Sequence, residues 1–280
     1  MPKPLRQLLA GLCFFIFGFG GLIFGALVVP LLGLSADPAR RLERRQRAVH
    51  FVIRNFVRLM AALGFTAYDW QPLPPGLDTS RPFILIANHP SLIDTLIVLS
   101  RFPTMASVAK AFYIHSPMTG PMLRTIGFFA PGEGEGGEDS GTTVDRMVEV
   151  LRGGRPMVIF PEGTRSPDGR LLRFRRGACE AAIRAGVPIV PLFIAPSEPL
   201  LRRGRPWYDF PSRKVRYALE FFPVVDTAAP GLDPREVNRH LQDLYKERFA
   251  RLLVDQARVQ GLPPPPTPAS LAASSAPPDP

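Results

Sequence analysis

The strongest constraint in the sequence is a long apolar run near its beginning. Residues 8–34 read LLAGLCFFIFGFGGLIFGALVVPLLGL and contain no charged side chain. A helix of this length would reach roughly 40 Å, more than the ~30 Å hydrocarbon core of a bilayer. The run therefore predicts a tilted membrane span, or two short helices bent at Gly18, Gly20 and Gly21 that enter and leave on one side. A cleaved signal peptide is the alternative, but its apolar region would be about half as long.

A basic segment follows the apolar run. Residues 40–47 contain five arginines and one glutamate, whereas Lys3 and Arg6 are the cations before the run. This asymmetry predicts that the bulk of the chain lies on the cytoplasmic face of the inner (cytoplasmic) membrane. Residues 44–63 repeat apolar positions at helical spacing, with arginines on another face. Such a helix either lies at the lipid–water interface or packs on a globular core with a solvated face, and both are open at this point.

The charge balance restricts the expected partners. Lys and Arg total 34 against 24 Asp and Glu, a net charge of +10, which favours an anionic partner such as a phospholipid surface or an acidic carrier. Nucleic acid is not expected, because the basic residues lie beside the apolar run and no nucleic-acid-binding motif is present. Cys13 and Cys179 exclude a disulfide framework, and four scattered histidines predict no metal site.

From residue 82 onward, short apolar runs alternate with helical patterns. This alternation predicts an α/β fold with a mostly parallel central sheet flanked by helices, behind the N-terminal membrane-anchoring helical segment. The predicted strands are Phe83–Ala87, Met157–Phe160, Ile189–Ile194 and Val215–Phe222, with weaker candidates at Ala106–Ala109 and Gly127–Ala130. The predicted helices are Ser91–Ser100, Thr143–Arg152, Gly177–Ala185 and Pro234–Val259.

These patterns divide the chain into four parts. Residues 1–37 are the predicted membrane anchor, 38–64 a basic amphipathic interfacial helix, and 65–262 the α/β domain. Residues 263–280 are rich in Pro, Ala and Ser and predict a disordered tail. Within the domain, residues 131–141 (PGEGEGGEDSG) predict a flexible acidic loop.

A first cluster of chemically capable residues, NHPSLID at 88–94, stands where the first buried strand ends. Ligands tend to bind at the carboxyl ends of strands in open α/β sheets. Pro90 keeps His89 out of helical geometry, while Asp94 begins the next helical pattern. A histidine oriented by a carboxylate is the pair that general-base catalysis requires. The Ser91-x-x-Asp94 spacing is also typical of a helix capping box, a role compatible with catalysis.

Two further clusters follow. The second, FPEGTRS at 160–166, comes after another buried strand, and its Gly163 permits close backbone approach while Arg165 offers a forked contact to a phosphate. The residues FRRG at 174–177 then open a helix whose N-terminal amides favour an anion. The third cluster, VPIVPL at 187–192, is an apolar strand.

Together, the three clusters resemble the glycerolipid acyltransferases of the lysophosphatidic-acid acyltransferase family. The resemblance covers roughly residues 80–195, with His89 and Asp94 on the NHx4D motif, 160–166 on the FPEGTRS block and 187–192 on the VPIVPL block. It implies that residues 65–262 are a membrane-bound acyltransferase domain. The implied reaction moves a fatty acyl group from coenzyme A or acyl carrier protein to the hydroxyl of a lysophospholipid, with no metal and no cofactor besides that co-substrate.

The resemblance also implies the roles of individual residues. His89 would remove the hydroxyl proton of the acceptor, and Asp94 would hold His89. The residues implied to bind the polar head of the acceptor are Glu162, Gly163, Thr164 and Arg165, with Arg165 on its phosphate. Cys179 would be a small apolar residue in a helix and not a nucleophile.

The sequence departs from the family pattern between the first two clusters. The family usually has an arginine after a glycine and a short apolar strand, whereas here the stretch Gly127–Glu133 ends in an acid. The cations that would compensate are Lys110, Arg124 and the arginines at 173–176, Arg175 among them. Otherwise the acceptor differs from lysophosphatidic acid and need not be a phospholipid. A lipid-binding protein that keeps the fold without turnover is the alternative from another class.

Overall fold

The computed structural model describes residues 3–32, 37–132, 140–166, 170–198, 200, 211 and 213–260. The predicted tail at 263–280 lies outside these residues. So do Glu133 and most of the predicted acidic loop at 131–141.

The N-terminal segment is one continuous helical rod. Helix α1 spans Lys3–Ile23, a wider π-helical turn spans Phe24–Val28, and α2 spans Val29–Leu31. The helix passes through the glycines at 18, 20 and 21 without a break, so the alternative with a bend there is not the observed structure. Pro30 has no N–H to continue the α-helical ladder, and the wider turn just before it accommodates this loss. By length and composition, Pro4–Leu31 is able to cross a membrane.

One side of this rod docks on the rest of the chain through small residues. A Cβ atom built on Gly25 would lie 2.8 Å from Cβ of Pro121, and one built on Gly18 would lie 3.1 Å from Sδ of Met118. These glycines therefore allow close approach of the helix. The other side exposes a stripe of large apolar side chains at helical spacing: Leu8, Leu12, Phe15, Phe19, Ile23, Leu27 and Leu31.

Helix α3, Pro38–Ala62, packs on the core with its apolar face. Val49, Ile53 and Met60 are fully or almost fully buried, and the ring of Phe56 contacts that of Phe17 at 4.2 Å between centroids. Phe51 remains 67% exposed. The core-packing alternative therefore describes most of the apolar face, while contact of its exposed remainder with lipid stays a prediction.

The described residues form a five-stranded sheet in the order β1-β5-β4-β2-β3. The strands are β1 Thr66–Trp70, β2 Ile84–Ala87, β3 Met157–Ile159, β4 Ile189–Pro196 and β5 Val215–Phe221. All neighbours pair in parallel except β4 and β5, which are antiparallel, so the prediction of a mostly parallel sheet is confirmed. The weaker strand candidates form isolated bridges only, Ala106 with Met157 and Val108 with Phe129.

Helices cover both faces of the sheet. Their bounds are α4 Asp94–Arg101, α5 Ala111–His115, α6 Gly120–Thr125, α7 Ser140–Arg152, α8 Gly177–Ala185 and α9 Pro234–Gln260. One core cluster joins the sheet to residues of α1, α3, α4, α5 and α6. A second cluster joins the opposite face to α7, α8 and α9. The apolar N-terminal rod and helix α9 therefore lie on opposite faces of the sheet.

Candidate active site

Neighbouring parallel strands bring the first two predicted clusters to one edge of the sheet, while the third cluster, residues 187–192, forms the beginning of β4. Strands β2, β3 and β4 are adjacent and parallel, so their carboxyl ends coincide. Asn88, directly after β2, ties its loop to β4, because its amide donates to the carbonyl of Ile194 at 2.8 Å and accepts from the Ile194 N–H at 2.7 Å. These two hydrogen bonds of the buried Asn88 side chain fix where the His89 loop begins.

His89 and Asp94 form the predicted pair. Nδ1 of His89 lies 2.9 Å from Oδ2 of Asp94, and the side chains are 16% and 0% exposed. A carboxylate is an acceptor only, so Nδ1 carries the proton in this contact, and Nε2 lies on the side of the ring away from Asp94. The imidazole also stacks on Phe160 at 4.2 Å between ring centroids. The ring is thus held on its edge by Asp94 and on one face by Phe160.

A buried hydrogen-bonded chain extends behind Asp94. The Ser91 N–H donates to Oδ2 of Asp94 at 2.6 Å, and the Ser91 hydroxyl donates to Oδ1. The hydroxyl of Tyr217 on β5 donates in turn to Ser91 Oγ at 3.1 Å. Only half of a capping box is therefore formed, since the Ser91 hydroxyl binds the carboxylate, and α4 itself begins at Asp94. Burial raises the pKa of Tyr217 well above its ordinary value, so its O–H stays a donor.

Glu162 connects the first two clusters. Its Oε1 accepts the His89 N–H at 3.0 Å and the Ser166 hydroxyl at 2.8 Å, and its Oε2 accepts the Leu172 N–H at 2.9 Å. The residue is 5% exposed, and burial raises the pKa of its carboxyl, against the opposing effect of these donors. Protein groups thus occupy both oxygens of Glu162, and the carboxylate positions the His89 loop.

The loop after Glu162 receives an arginine from the next segment. Gly163 has φ +69°, and a Cβ atom there would lie 3.0 Å from the guanidinium carbon of Arg175. Both the left-handed backbone and this close approach require glycine. Thr164 and Arg165 are half-buried in the same loop. The structure therefore brings Arg175 together with the predicted Gly163–Arg165 loop.

The cations predicted to compensate for the missing family arginine lie in different surroundings. Lys110 is exposed just before α5, and among the described residues its ammonium makes no hydrogen bond or ion pair with the predicted site residues. Arg124 donates to the carbonyl of Ile114, which places its guanidinium in the α5–α6 connection. Gly127, with φ +82°, lies against the guanidinium of Arg155, whose Nη2 donates to the carbonyl of Ile126 at 2.5 Å. Arg124 therefore makes a structural contact, and its role as a compensating cation stays a prediction.

Sequence reasoning missed Tyr245 on α9. In the β2–β4 register Pro191 faces Ile86, and proline has no N–H to donate to the ladder. The Tyr245 hydroxyl donates to the Ile86 carbonyl at 2.6 Å and accepts the Leu192 N–H at 2.9 Å. The Tyr245 hydroxyl therefore replaces the hydrogen bond that Pro191 cannot donate to β2, directly before the His89 loop. Nothing in the local sequence indicates this role, because Tyr245 lies far from both strands along the chain.

Comparison with known proteins gives the class of this domain. The sequence model of the Acyltransferase family matches residues 68–195, the segment that contains all three clusters. This segment is therefore similar in sequence to acyltransferase domains. The crystal structure of the 1-acyl-sn-glycerophosphate (LPA) acyltransferase PlsC from Thermotoga maritima superposes with a TM-score of 0.70 at 25% identity, over 90% of this chain and 98% of that one.

Curated proteins similar to this chain are named 1-acyl-sn-glycerol-3-phosphate acyltransferases. The 1-acyl-sn-glycerol-3-phosphate acyltransferase of Pseudomonas aeruginosa is 25% identical over 75% of this chain and 80% of its own length. The chloroplastic enzyme BAT2 of Brassica napus is 28% identical over 72% of this chain and 59% of its own length. The chloroplastic LPAT1 of Arabidopsis thaliana is matched over 46% of its own length. The chain thus spans about half the length of such plant relatives. The matched part of this chain is therefore similar to glycerolipid acyltransferases.

Proposed function

We propose that this protein is a membrane-bound O-acyltransferase that acylates the hydroxyl of a lysophospholipid, with a lysophosphatidic-acid-like acceptor. The observation that carries the proposal is the His89–Asp94 contact of 2.9 Å at the carboxyl end of β2. The names of the relatives support the reaction class, since they are called 1-acyl-sn-glycerol-3-phosphate acyltransferases. Membrane lipids, the lysolipid acceptor and an acyl-CoA or acyl carrier protein donor are the partners that the reaction requires.

The proposed step balances without a metal ion. Nε2 of His89 takes the proton of the acceptor hydroxyl while its oxygen forms a bond to the thioester carbonyl carbon. Asp94 stabilises the imidazolium that results. The carbon–sulfur bond then breaks as the carbonyl forms again, and the leaving thiolate takes the proton from Nε2. The products are the acylated lipid and the free thiol of the carrier, and His89 returns to its starting state.

The acceptor phosphate is proposed to bind at the Gly163–Arg165 loop. Gly163 leaves the backbone open to close approach, and the guanidiniums of Arg165 and Arg175 supply forked donors for phosphate oxygens. Glu162 does not compete for this role, because protein donors hold both of its oxygens. It keeps the His89 loop and the phosphate loop at a fixed separation.

Membrane attachment is proposed through the exposed stripe on α1. Side chains such as Leu8 and Phe15 are 68% and 62% exposed, and water-exposed apolar patches of this length favour contact with lipid. The basic residues at 40–47 follow the rod and suit anionic head groups. We propose the inner membrane, with the catalytic domain on its cytoplasmic face.

The test uses detergent-purified protein with acyl-CoA or acyl carrier protein donors and a panel of lysolipids, with products identified by mass spectrometry. His89→Ala is the variant, and His240→Ala on the exposed side of α9 is the matched control. We expect a product in wild type and in the control but none in His89→Ala. Equal turnover in His89→Ala would refute the base assignment. No turnover on any acceptor, with lysolipid still bound, would favour the lipid-binding alternative.

A further inference from the structure

A strongly basic cavity lies beside the candidate active site. Its volume is about 910 Å³, and its charged lining consists of Glu162 and five arginines: Arg173, Arg175, Arg176, Arg235 and Arg239. The Glu162 charge is taken up by the His89 N–H, Ser166 and Leu172. Among the described residues, none of the five guanidiniums forms an ion pair with a carboxylate. The described lining of the cavity therefore presents an excess of positive charge.

The walls of the cavity are held in place by α9. Arg235, Arg239 and Gln242 recur at helical spacing and lie on one face of that helix. The Phe174 N–H donates to the side-chain oxygen of Gln242 at 3.1 Å, and the Asn238 amide donates to the Phe174 carbonyl at 3.2 Å. The arginines at 173–176 are thus fixed against the arginines of α9 by hydrogen bonds to backbone atoms. The side chains of the five arginines are exposed, while the backbone that carries Arg173, Arg175 and Arg176 is fixed beside α9.

A bound anion would offset the repulsion among these arginines, beyond what Glu236 and Glu180 in the first turns of α9 and α8 supply. Arg235 stands in the first turn of α9, and Arg176 directly precedes α8. Cations near helix N-termini oppose the helix dipole, and like charges in one recess repel each other. Residues that break local rules without a structural gain tend to be functional. Several guanidiniums around one recess are suited to phosphate oxygens, which they contact bidentately.

The position of the cavity indicates a water-soluble ligand. Helix α9 packs on the face of the sheet opposite the apolar rod, so the recess lies away from the surface proposed to contact lipid. Its volume lies in the range of small-molecule sites, whereas a protein partner would need about 800 Å² of surface on each side. Glu162 lines the cavity and also contacts the His89 N–H, so the recess adjoins the reacting centre.

We infer that this recess binds the phosphates of the nucleotide end of coenzyme A, which identifies acyl-CoA as the donor. The inference rests on the proposed acyl transfer. In acyl-CoA the pantetheine arm separates the nucleotide phosphates from the thioester, so the phosphates need a site next to the reacting centre and distinct from it. Arg173 and Arg176, with the arginines of α9, supply that site, while the Gly163–Arg165 loop and Arg175 hold the acceptor.

The first arm of the test measures binding without turnover. Adenosine 3′,5′-bisphosphate, which represents part of the nucleotide end, is titrated into detergent-purified full-length protein by calorimetry. Arg235→Gln/Arg239→Gln is compared with Arg251→Gln/Arg258→Gln, which makes the same charge change on exposed positions of α9. The control begins 12 residues beyond Arg239, about 18 Å along the helix. We expect about tenfold weaker binding in the first variant and wild-type binding in the control. Equal affinity in both variants would overturn the inference.

The second arm measures the donor and the acceptor separately. With acyl-CoA, KM should rise about tenfold in Arg235→Gln/Arg239→Gln, whereas KM for S-acyl-pantetheine, which has no phosphates, should stay at the wild-type value. A rise in the acceptor KM instead would assign the recess to the lysolipid, and a loss confined to acyl carrier protein donors would assign it to a protein; either result overturns the inference. Arginine-dependent bisphosphate binding in a protein that transfers no acyl group would refute the proposed function while supporting the nucleotide site.

Discussion

Two substitutions at Asp94 separate its catalytic role from its structural role. In Asp94→Asn, the amide oxygen can keep the position of Oδ2, where it accepts from His89 Nδ1 and from the Ser91 N–H. The amide nitrogen then takes the position of Oδ1 and donates to Ser91 Oγ. In Asp94→Ala, these donors lose their acceptor at a site where Asp94 is 0% exposed.

The magnitudes follow from these contacts. Two charges about 4 Å apart at an effective dielectric of about 20 interact by about 4 kcal/mol. If Asn removes that stabilisation of the imidazolium, kcat falls about 10³-fold. The free energy of unfolding should change by only about 1 kcal/mol in Asp94→Asn, because the hydrogen bonds are largely kept. In Asp94→Ala, the two donors of Ser91 are left buried without an acceptor, at a cost of about 2–6 kcal/mol.

The assay combines initial rates of acyl transfer, at saturating donor and acceptor, with urea unfolding followed by circular dichroism. We expect Asp94→Asn to be folded and slow, and Asp94→Ala to be slow and clearly less stable. A kcat for Asp94→Asn within tenfold of wild type would refute the electrostatic role of Asp94. Equal stability of the two variants would refute the account of its hydrogen bonds.

Two further predictions concern buried groups near the site. Tyr217→Phe removes the donor to Ser91 Oγ, so we expect a loss of about 1 kcal/mol in urea unfolding and a several-fold lower kcat at unchanged KM; wild-type kcat would contradict a positioning role. Burial raises the pKa of Cys179 to about 12, and the residue is 1% exposed. In a Cys13→Ala background, iodoacetamide at pH 8 should therefore label Cys179 only after urea is added, and rapid labelling of the folded protein would show an accessible thiolate.

The core strands could be predicted from the sequence because they are continuous apolar runs. Strand β4, Ile189–Pro196, is buried at every position, and β2 is buried along its whole length. Strand β1, Thr66–Trp70, was not predicted, because it lies at the edge of the sheet and mixes buried with half-exposed residues in the sequence TAYDW. Its pairing with β5 depends on residues far away along the chain, which local patterns do not contain.

In the candidate site too, contacts between residues close in sequence could be predicted, whereas contacts between distant residues could not. The His89–Asp94 pair is separated by five positions, so the local sequence, with Pro90 after His89 and a helical pattern from Asp94, already indicated the contact. Asn88 and Tyr217 act on partners 106 and 126 positions away. Asn88 belongs to the motif of the first cluster, but the motif does not name its partner, and Tyr217 is an ordinary residue of a strand. Only the sheet order, which places β4 and β5 next to the His89 loop, shows that they hold the site together.

Glu162 is a residue that the sequence motif identifies but whose contacts only the structure reveals. An acid in a loop that binds phosphate would repel the ligand if its charge faced it, so the sequence alone leaves its purpose undecided. In the structure, its oxygens accept from His89 N–H, Ser166 and Leu172, and the charge is directed into the protein. Among the described residues, the neighbouring arginines at 173–176 form no ion pair with a carboxylate. Glu162 thus fixes the His89 loop, and because its charge is satisfied by protein donors, it does not neutralise the positive charge that we propose to bind phosphate.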